Sequence, residues 1–171
     1  MDIGVANWGT HSIGIFLGYG NNSFTNQTTY PTVRYPQSIA LGYLNNDAWL
    51  DIVVASSDSD NVGIFFGYGD GTFANQITYS TGVFSSPYCV TVVDLNNDNI
   101  LDIVVASYGT NNVFALLGHF NGTFTGQILF DLPFEAHPFF IVAGDFNNDR
   151  KVDLAVGDHG SDSLSILLQT C

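Results

Sequence analysis

The feature that most constrains this chain is an internal repeat of 51 residues. Closely similar apolar runs, each led by an aspartate, begin at Asp51, Asp102 and Asp153, and a related run opens the chain at Asp2. The repeat is therefore present in four copies. A period near 50 residues is typical of β repeats in which each unit forms one supersecondary element.

Two further markers keep the same period. A glycine-rich turn that ends in phenylalanine follows the apolar run, and a proline opens each unit after the first. The turns occupy residues 17–24, 66–73 and 117–124, and the prolines are Pro36, Pro87 and Pro138. Because independent markers agree, compositional bias does not explain the repeat. The units run approximately over 1–35, 36–86, 87–137 and 138–171, of which the first and last are partial, and together they form a single region over 1–171.

Each unit is predicted to contain short strands and no helix. In the third unit, β-branched and aromatic residues fill 87–93 and a continuous apolar run fills 101–107, and further strands are expected at 113–117 and 124–130. Four antiparallel strands per unit form one blade of a β-propeller. The sequence therefore predicts an all-β propeller of four-stranded antiparallel blades, with about three and a half blades in this chain.

The two partial units raise the question of how the propeller closes. Propellers usually close with four to eight blades, and incomplete blades leave sheet edges unpaired. We therefore expect either a piece of a longer protein or self-association of copies that closes the propeller.

Composition and short sequence motifs limit the classes of partner and the cellular location that we expect. The formal charge of −13, from 16 acidic and 3 basic side chains, argues against nucleic acid as a partner. No apolar stretch approaches the roughly 18–20 residues needed to span a bilayer, and the first residues lack the features of a signal peptide. Sequons at Asn21, Asn26 and Asn121 hint at a secreted context, and Cys89 and Cys171 are expected to be free.

Acidic side chains concentrate in the loop between the first and second strands of a unit. In two nine-residue loops, oxygen-bearing side chains stand at positions 1, 3, 5 and 9, and the carbonyl at position 7 adds another oxygen. An oxygen-only donor set suits Ca²⁺ better than Zn²⁺ or Mg²⁺. The candidate ligands are Asp94, Asn96, Asp98, the Ile100 carbonyl and Asp102 in one loop, and Asp145, Asn147, Asp149, the Lys151 carbonyl and Asp153 in the other. The alternative is a polar turn whose side chains satisfy its own backbone without a metal.

The second unit departs from this pattern because Tyr43 replaces the first carboxylate. The remaining candidate ligands there are Asn45, Asp47 and Asp51, and we expect weak or absent metal binding. Position 6 of such a loop favours a left-handed backbone, which Asn99 tolerates better than Arg150 does.

The acidic loop followed by an apolar strand, together with the glycine-rich turn, resembles the FG-GAP/VCBS repeats, the blade units of integrin-α-like β-propellers. The resemblance covers essentially the whole chain. It implies a calcium-stabilised propeller of extracellular or cell-surface proteins, often used in adhesion, ligand recognition or lectin-like binding. It fixes the fold better than the partner, since fold alone does not determine function.

Catalytic motifs are missing from the sequence. There is no nucleophile elbow, zinc-protease motif or phosphate-binding loop, and the four histidines fall at unrelated phases of the repeat. We therefore predict a non-catalytic binding or adhesion module with an unidentified protein or glycan ligand. The alternatives are a lectin-like carbohydrate-binding propeller and the non-catalytic portion of a larger secreted enzyme. Trp8 and Tyr108, in the loop after the second strand, are candidates for a recognition surface.

Overall fold

The computed structural model describes residues 1–169, with residue 127 described only as part of its strand. The chain forms four antiparallel sheets, and its only helical segments in that range are two 3₁₀ turns, Trp8–Thr10 and Ser57–Ser59. The predicted all-β class is confirmed. Cys89 is a buried free thiol, as predicted, whereas Cys171 lies outside the described residues.

The sheets follow one another along the chain, and each has its strands in sequence order. The first sheet contains β1 (Ile3–Asn7), β2 (Ser12–Phe16) and β3 (Thr28–Pro31), and the second contains β4 (Pro36–Gly42), β5 (Asp51–Ser56), β6 (Asn61–Phe65) and β7 (Ile77–Ser80). The third contains β8 (Pro87–Val93), β9 (Asp102–Ser107), β10 (Asn112–Gly118) and β11 (Phe124–Asp131), and the fourth contains β12 (Pro138–Gly144), β13 (Asp153–Asp158) and β14 (Ser163–Leu167).

The strand positions agree with the sequence prediction. All four predicted strands of the third unit are present, and β8 has the predicted bounds. The first sheet lacks a counterpart of β8, and the fourth sheet has no described counterpart of β11. Within the described residues, the second and third sheets thus have four strands each, and the first and fourth sheets have three strands each.

Neighbouring sheets pack face to face through three apolar cores. Strand β4 contacts β8, and β8 contacts β12, so the first strands of successive sheets lie side by side. Alternate residues of a second strand enter different cores: Ile103 and Val105 pack toward the second sheet, and Val104 and Ala106 toward the fourth. Because both faces of β9 are covered, its sequence is continuously apolar rather than alternating.

Within residues 1–169, the structure contains no helix with the length and apolar character required of a membrane span.

Candidate functional site

The aspartate at position 9 of each acidic loop is a buried clamp rather than a surface group. The side chain of Asp102 is fully buried. One carboxylate oxygen accepts the N–H of Leu95 at 2.8 Å, and the other accepts the N–H of Gly118, also at 2.8 Å. This side chain therefore joins the loop between β8 and β9 to the end of β10.

The same clamp occurs in the second and fourth sheets, and in the first sheet the exposed Asp2 makes one of its two bonds. Asp51 accepts the N–H groups of Leu44 and Gly67, Asp153 accepts those of Phe146 and Gln169, and Asp2 accepts that of Gly18, all at 2.8–2.9 Å. In each case one bonded residue follows the aspartate by 16 positions. The clamp is therefore a property of the repeat, and it persists where the other acidic residues vary.

The glycine partner of the clamp has no room for a side chain. A Cβ added to Gly118 would overlap the carbonyl oxygen of Leu101, which immediately precedes the clamping aspartate. Gly67 stands in the same relation to the carbonyl of Leu50. The first glycine of each glycine-rich turn is thus required by a close backbone approach.

Burial raises the pKa of two of the clamping aspartates, Asp102 and Asp51. Burial raises the pKa of the Asp102 carboxyl above its ordinary value, although the N–H groups of Gly118 and Leu95 oppose that rise. The nearby charges of Asp98 and Asp94 raise the same pKa further. The pKa of Asp51 is raised in the same way, by burial first. Burial and the neighbouring carboxylates thus both disfavour the charged form of these two aspartates.

The side chains of the candidate ligands at positions 1, 3 and 5 point toward the backbone of their own loop and accept hydrogen bonds from it. In residues 94–102, the Asp94 carboxylate accepts the N–H groups of Asp98 at 3.0 Å and Asn99 at 2.8 Å. The Asn96 side-chain oxygen also accepts the Asp98 N–H at 3.0 Å, and Asp98 accepts the N–H of Ile100 at 2.8 Å. These oxygens thus surround the backbone of one tight turn.

The loop over residues 145–153 repeats this arrangement bond for bond. Asp145 accepts the N–H groups of Asp149 and Arg150 at 3.1 and 2.9 Å. Asn147 accepts the Asp149 N–H at 3.0 Å, and Asp149 accepts that of Lys151 at 2.9 Å. The two loops predicted to bind calcium therefore have the same local structure.

The loop over residues 43–51 forms the same turn without a carboxylate at position 1. Asn45 accepts the N–H of Asp47 at 3.2 Å, and Asp47 accepts that of Trp49 at 2.8 Å, while Tyr43 is largely exposed. Position 6 has a left-handed backbone in all three loops, with φ of 65° at Ala48, 65° at Asn99 and 69° at Arg150. The carboxylates of Asp94 and Asp145 are therefore not needed to form the turn.

The donor chemistry of the two complete loops suits calcium. Each loop offers three carboxylates, a side-chain amide and a main-chain carbonyl, and no salt bridge reaches either loop within residues 1–169. The arrangement is not one of ligand atoms gathered around a point, because no group of three acidic, histidine or cysteine side chains in that range is placed to hold a metal ion. The oxygens instead accept N–H groups of the protein.

Aromatic rings are stacked at the opposite end of the sheets, about 20 Å away along a six-residue strand. Tyr108 stacks on His137 with ring centroids 4.7 Å apart, and Tyr88 lies 4.9 Å from Tyr108 and 5.2 Å from Phe139. Half of the surface of Phe139 is exposed. His159 adds a ring 6.2 Å from Tyr108. These five residues, which we call the ring cluster, come from four different segments of the chain.

A smaller aromatic group lies at the same end between the first and second sheets. Trp8, more than half exposed, packs 4.6 Å from the ring of Tyr35, which also contacts His11 at 4.7 Å. Trp8 and Tyr108 were predicted from the sequence as candidates for a recognition surface, whereas the histidines were interpreted as unrelated to the repeat. His159 follows Tyr108 by one full period of 51 residues, and that spacing was the available signal.

Comparison with known proteins agrees with the repeat and the fold. The profile of a family described as FG-GAP-like repeat matches residues 43–105 and 94–156. No curated protein sequence matches the chain significantly. Among solved structures, the chain is similar to a streptogramin B lyase, with a TM-score of 0.53 and 19% identity over 99% of this chain. The chain spans 66% of the length of that protein, and at this identity the likeness concerns the fold alone.

Proposed function

The chain belongs to the FG-GAP-like repeat family, and on this premise we propose that it is a non-catalytic, calcium-stabilised binding or adhesion module of an extracellular or cell-surface protein. Repeats of this family form β-propeller-like modules and are typical of extracellular proteins. In this proposal, the acidic loops stabilise one end of the sheets and the aromatic end contacts the ligand.

The observation that carries the calcium part of the proposal is the comparison of the three acidic loops. The turn over 43–51 forms with Tyr43 at position 1, so Asp94 and Asp145 add negative charge beyond what the turn requires. Asp94, Asn96, Asp98, Asp102 and the Ile100 carbonyl would hold the ion in one loop, and Asp145, Asn147, Asp149, Asp153 and the Lys151 carbonyl in the other. Bound calcium would offset the repulsion among these carboxylates. Weak or absent binding is still expected in the loop of Tyr43.

Exchanging the residue at position 1 tests this assignment. Titration calorimetry of the unaltered chain should find two calcium sites, and melting should occur several degrees higher with calcium than with chelator. A site whose ligand is present at 100 times its Kd adds about 2.7 kcal/mol to stability. Asp94→Tyr, which copies the natural residue of the second loop, should remove one site without lowering stability in chelator by more than about 1 kcal/mol.

Two matched variants complete this test. Tyr43→Asp should create a third site, because it completes the donor set in the loop over 43–51. Asp98→Ala should cost more stability in calcium than Asp47→Ala does. A melting temperature that does not respond to calcium, or a site count that is unchanged by Asp94→Tyr, would contradict the calcium proposal.

The second candidate function is lectin-like binding of carbohydrate, and the exposed rings at the aromatic end favour it. Aromatic faces such as those of Trp8 and Phe139 offer flat apolar surface, while the neighbouring histidines offer polar atoms. The opposite end also carries exposed rings, Tyr19, Tyr68 and Phe120, one on each of three glycine-rich turns. Tyr30 and Tyr79, in contrast, pack against the cores between sheets.

A glycan array separates the two candidates. Lectin-like function predicts binding to a defined set of glycans, and Phe139→Ala should weaken that binding by at least about tenfold, the equivalent of 1.4 kcal/mol. Tyr68→Ala, which removes a comparably exposed ring at the opposite end, is the matched control and should retain binding. Absence of glycan binding by a well-folded, calcium-loaded chain would favour a protein ligand instead.

A further inference from the structure

The fourth sheet has an open apolar face on the side away from the third sheet. Cross-strand pairing places Val142, Ala155 and Ile166 in one row, and Phe140, Gly157 and Leu164 in the next. The opposite face of the sheet is already occupied, because Ile141, Leu154 and Val156 belong to the core shared with the third sheet. Most large side chains of the open face are exposed, including Leu164 at 65% and Phe140 at 57%.

The same positions are buried in the third sheet, one period earlier. Val113 and Ala115, the counterparts of Leu164 and Ile166, are fully buried in the core between the third and fourth sheets. Cys89, the counterpart of Phe140, is 6% exposed. The open face of the fourth sheet is therefore the face that each preceding sheet uses to contact the sheet that follows it.

The first sheet presents the complementary half of such a junction. Gly4 and Ile15 face the second sheet, so the alternate residues of β1 and β2 face outward. The outward residues Ile3, Val5, Gly14 and Phe16 are identical to Ile52, Val54, Gly63 and Phe65, which form the face of the second sheet that packs on the first. Ile52 is 1% exposed, whereas Ile3 is 39% exposed.

The first and second sheets also share a glutamine that covers a glycine on the same face. The side chain of Gln27 covers Gly14 on the outer face of the first sheet, as that of Gln76 covers Gly63 on the second. The outer face of the first sheet thus reproduces a surface that elsewhere in this chain receives a preceding sheet. Neither this face nor the open face of the fourth sheet carries a charged side chain among the residues named, although the chain has a formal charge of −13.

We propose that the outer face of the first sheet of one copy packs on the open face of the fourth sheet of a second copy, in a head-to-tail dimer. Because each copy presents one face of each kind, two copies make two identical junctions and bury all four faces. Each chain contributes four sheets, so the dimer contains eight, within the range of four to eight blades in closed propellers. This inference does not depend on calcium or on the ligand.

Sedimentation velocity of the purified chain tests the dimer. At micromolar concentration, the expected mass is twice the 18.5 kDa of one chain. Ile166→Lys and Ile3→Glu place a charge on one face each, at positions already exposed, and each variant alone should sediment as a monomer with an unchanged circular dichroism spectrum. Phe134→Lys, at a loop residue that is 86% exposed and lies outside both faces, is the control and should remain dimeric.

Mixing the two variants distinguishes this contact from other modes of association. In a mixed dimer, one junction joins the two altered faces, and the other joins two unaltered faces. Association should therefore reappear on mixing Ile166→Lys with Ile3→Glu. A monomeric unaltered chain, a dimer that survives either single substitution, or a mixture that stays monomeric would overturn the proposal.

Discussion

Replacing Asp102 with alanine is expected to lower the free energy of unfolding by about 3 kcal/mol or more, even with calcium chelated. The substitution leaves the N–H groups of Leu95 and Gly118 buried without an acceptor, and each such group costs about 1–3 kcal/mol. It also releases the loop before β9 from the end of β10. Urea unfolding in chelator, followed by circular dichroism, measures the loss.

Asp98→Ala is the matched control within the same loop. Asp98 is exposed, and its carboxylate bonds only groups of the surface turn. In chelator, Asp98→Ala should therefore lower the free energy of unfolding by less than about 1 kcal/mol. In calcium, the proposed ligand role of Asp98 would add to this loss. Equal losses for the two variants in chelator would show that the buried clamp does not stabilise the sheet as described.

Replacing Gly118 with alanine is expected to cost about 2–3 kcal/mol, because the new methyl group would overlap the Leu101 carbonyl. The backbone must then shift, and the bond from the Gly118 N–H to Asp102 is weakened with it. Gly82→Ala is the control: Gly82 has a φ of 100° and nothing within 4 Å of an added Cβ, so it reports backbone strain alone, about 1 kcal/mol. A Gly118→Ala variant no less stable than Gly82→Ala would contradict the steric argument.

Gln169 shows that this requirement depends on pairing with the segment that follows the glycine-rich turn. It stands one period after Gly118, and its N–H still bonds Asp153 at 2.9 Å. Gly118 is held from the other side by its pairing with Phe124 of β11, whereas the fourth sheet has no described fourth strand. A larger residue is tolerated where the strand end is held on one side.

The strands could be predicted from the sequence because every unit carries the same residue pattern that causes a strand to form. The apolar run of β9 has both faces covered, and the prolines mark where each first strand begins. The clamping role of position 9 was harder to predict, because the spacing of the loop indicated position 9 only as a ligand, alongside positions 1, 3 and 5. Asp2 and Asp51 nevertheless keep position 9 where position 1 is lost or absent, which is the pattern expected of a structural residue.

The ring cluster lay beyond sequence reasoning for a different reason. Tyr108 and His159 share a repeat position, but His137 and Phe139 flank Pro138 at the start of β12. Their contact depends on the packing of the third sheet against the fourth, and local periodicity does not report such packing.

The division of β9 between two cores has a consequence for cooperativity. Val104 and Val105 are adjacent in the chain but contact different neighbouring sheets. Detaching this one strand would expose apolar surface on both sides. Unfolding of a middle sheet would therefore also destabilise the two sheets that pack against it. We therefore expect this chain of repeated units to unfold in a single cooperative transition, as an undivided domain does.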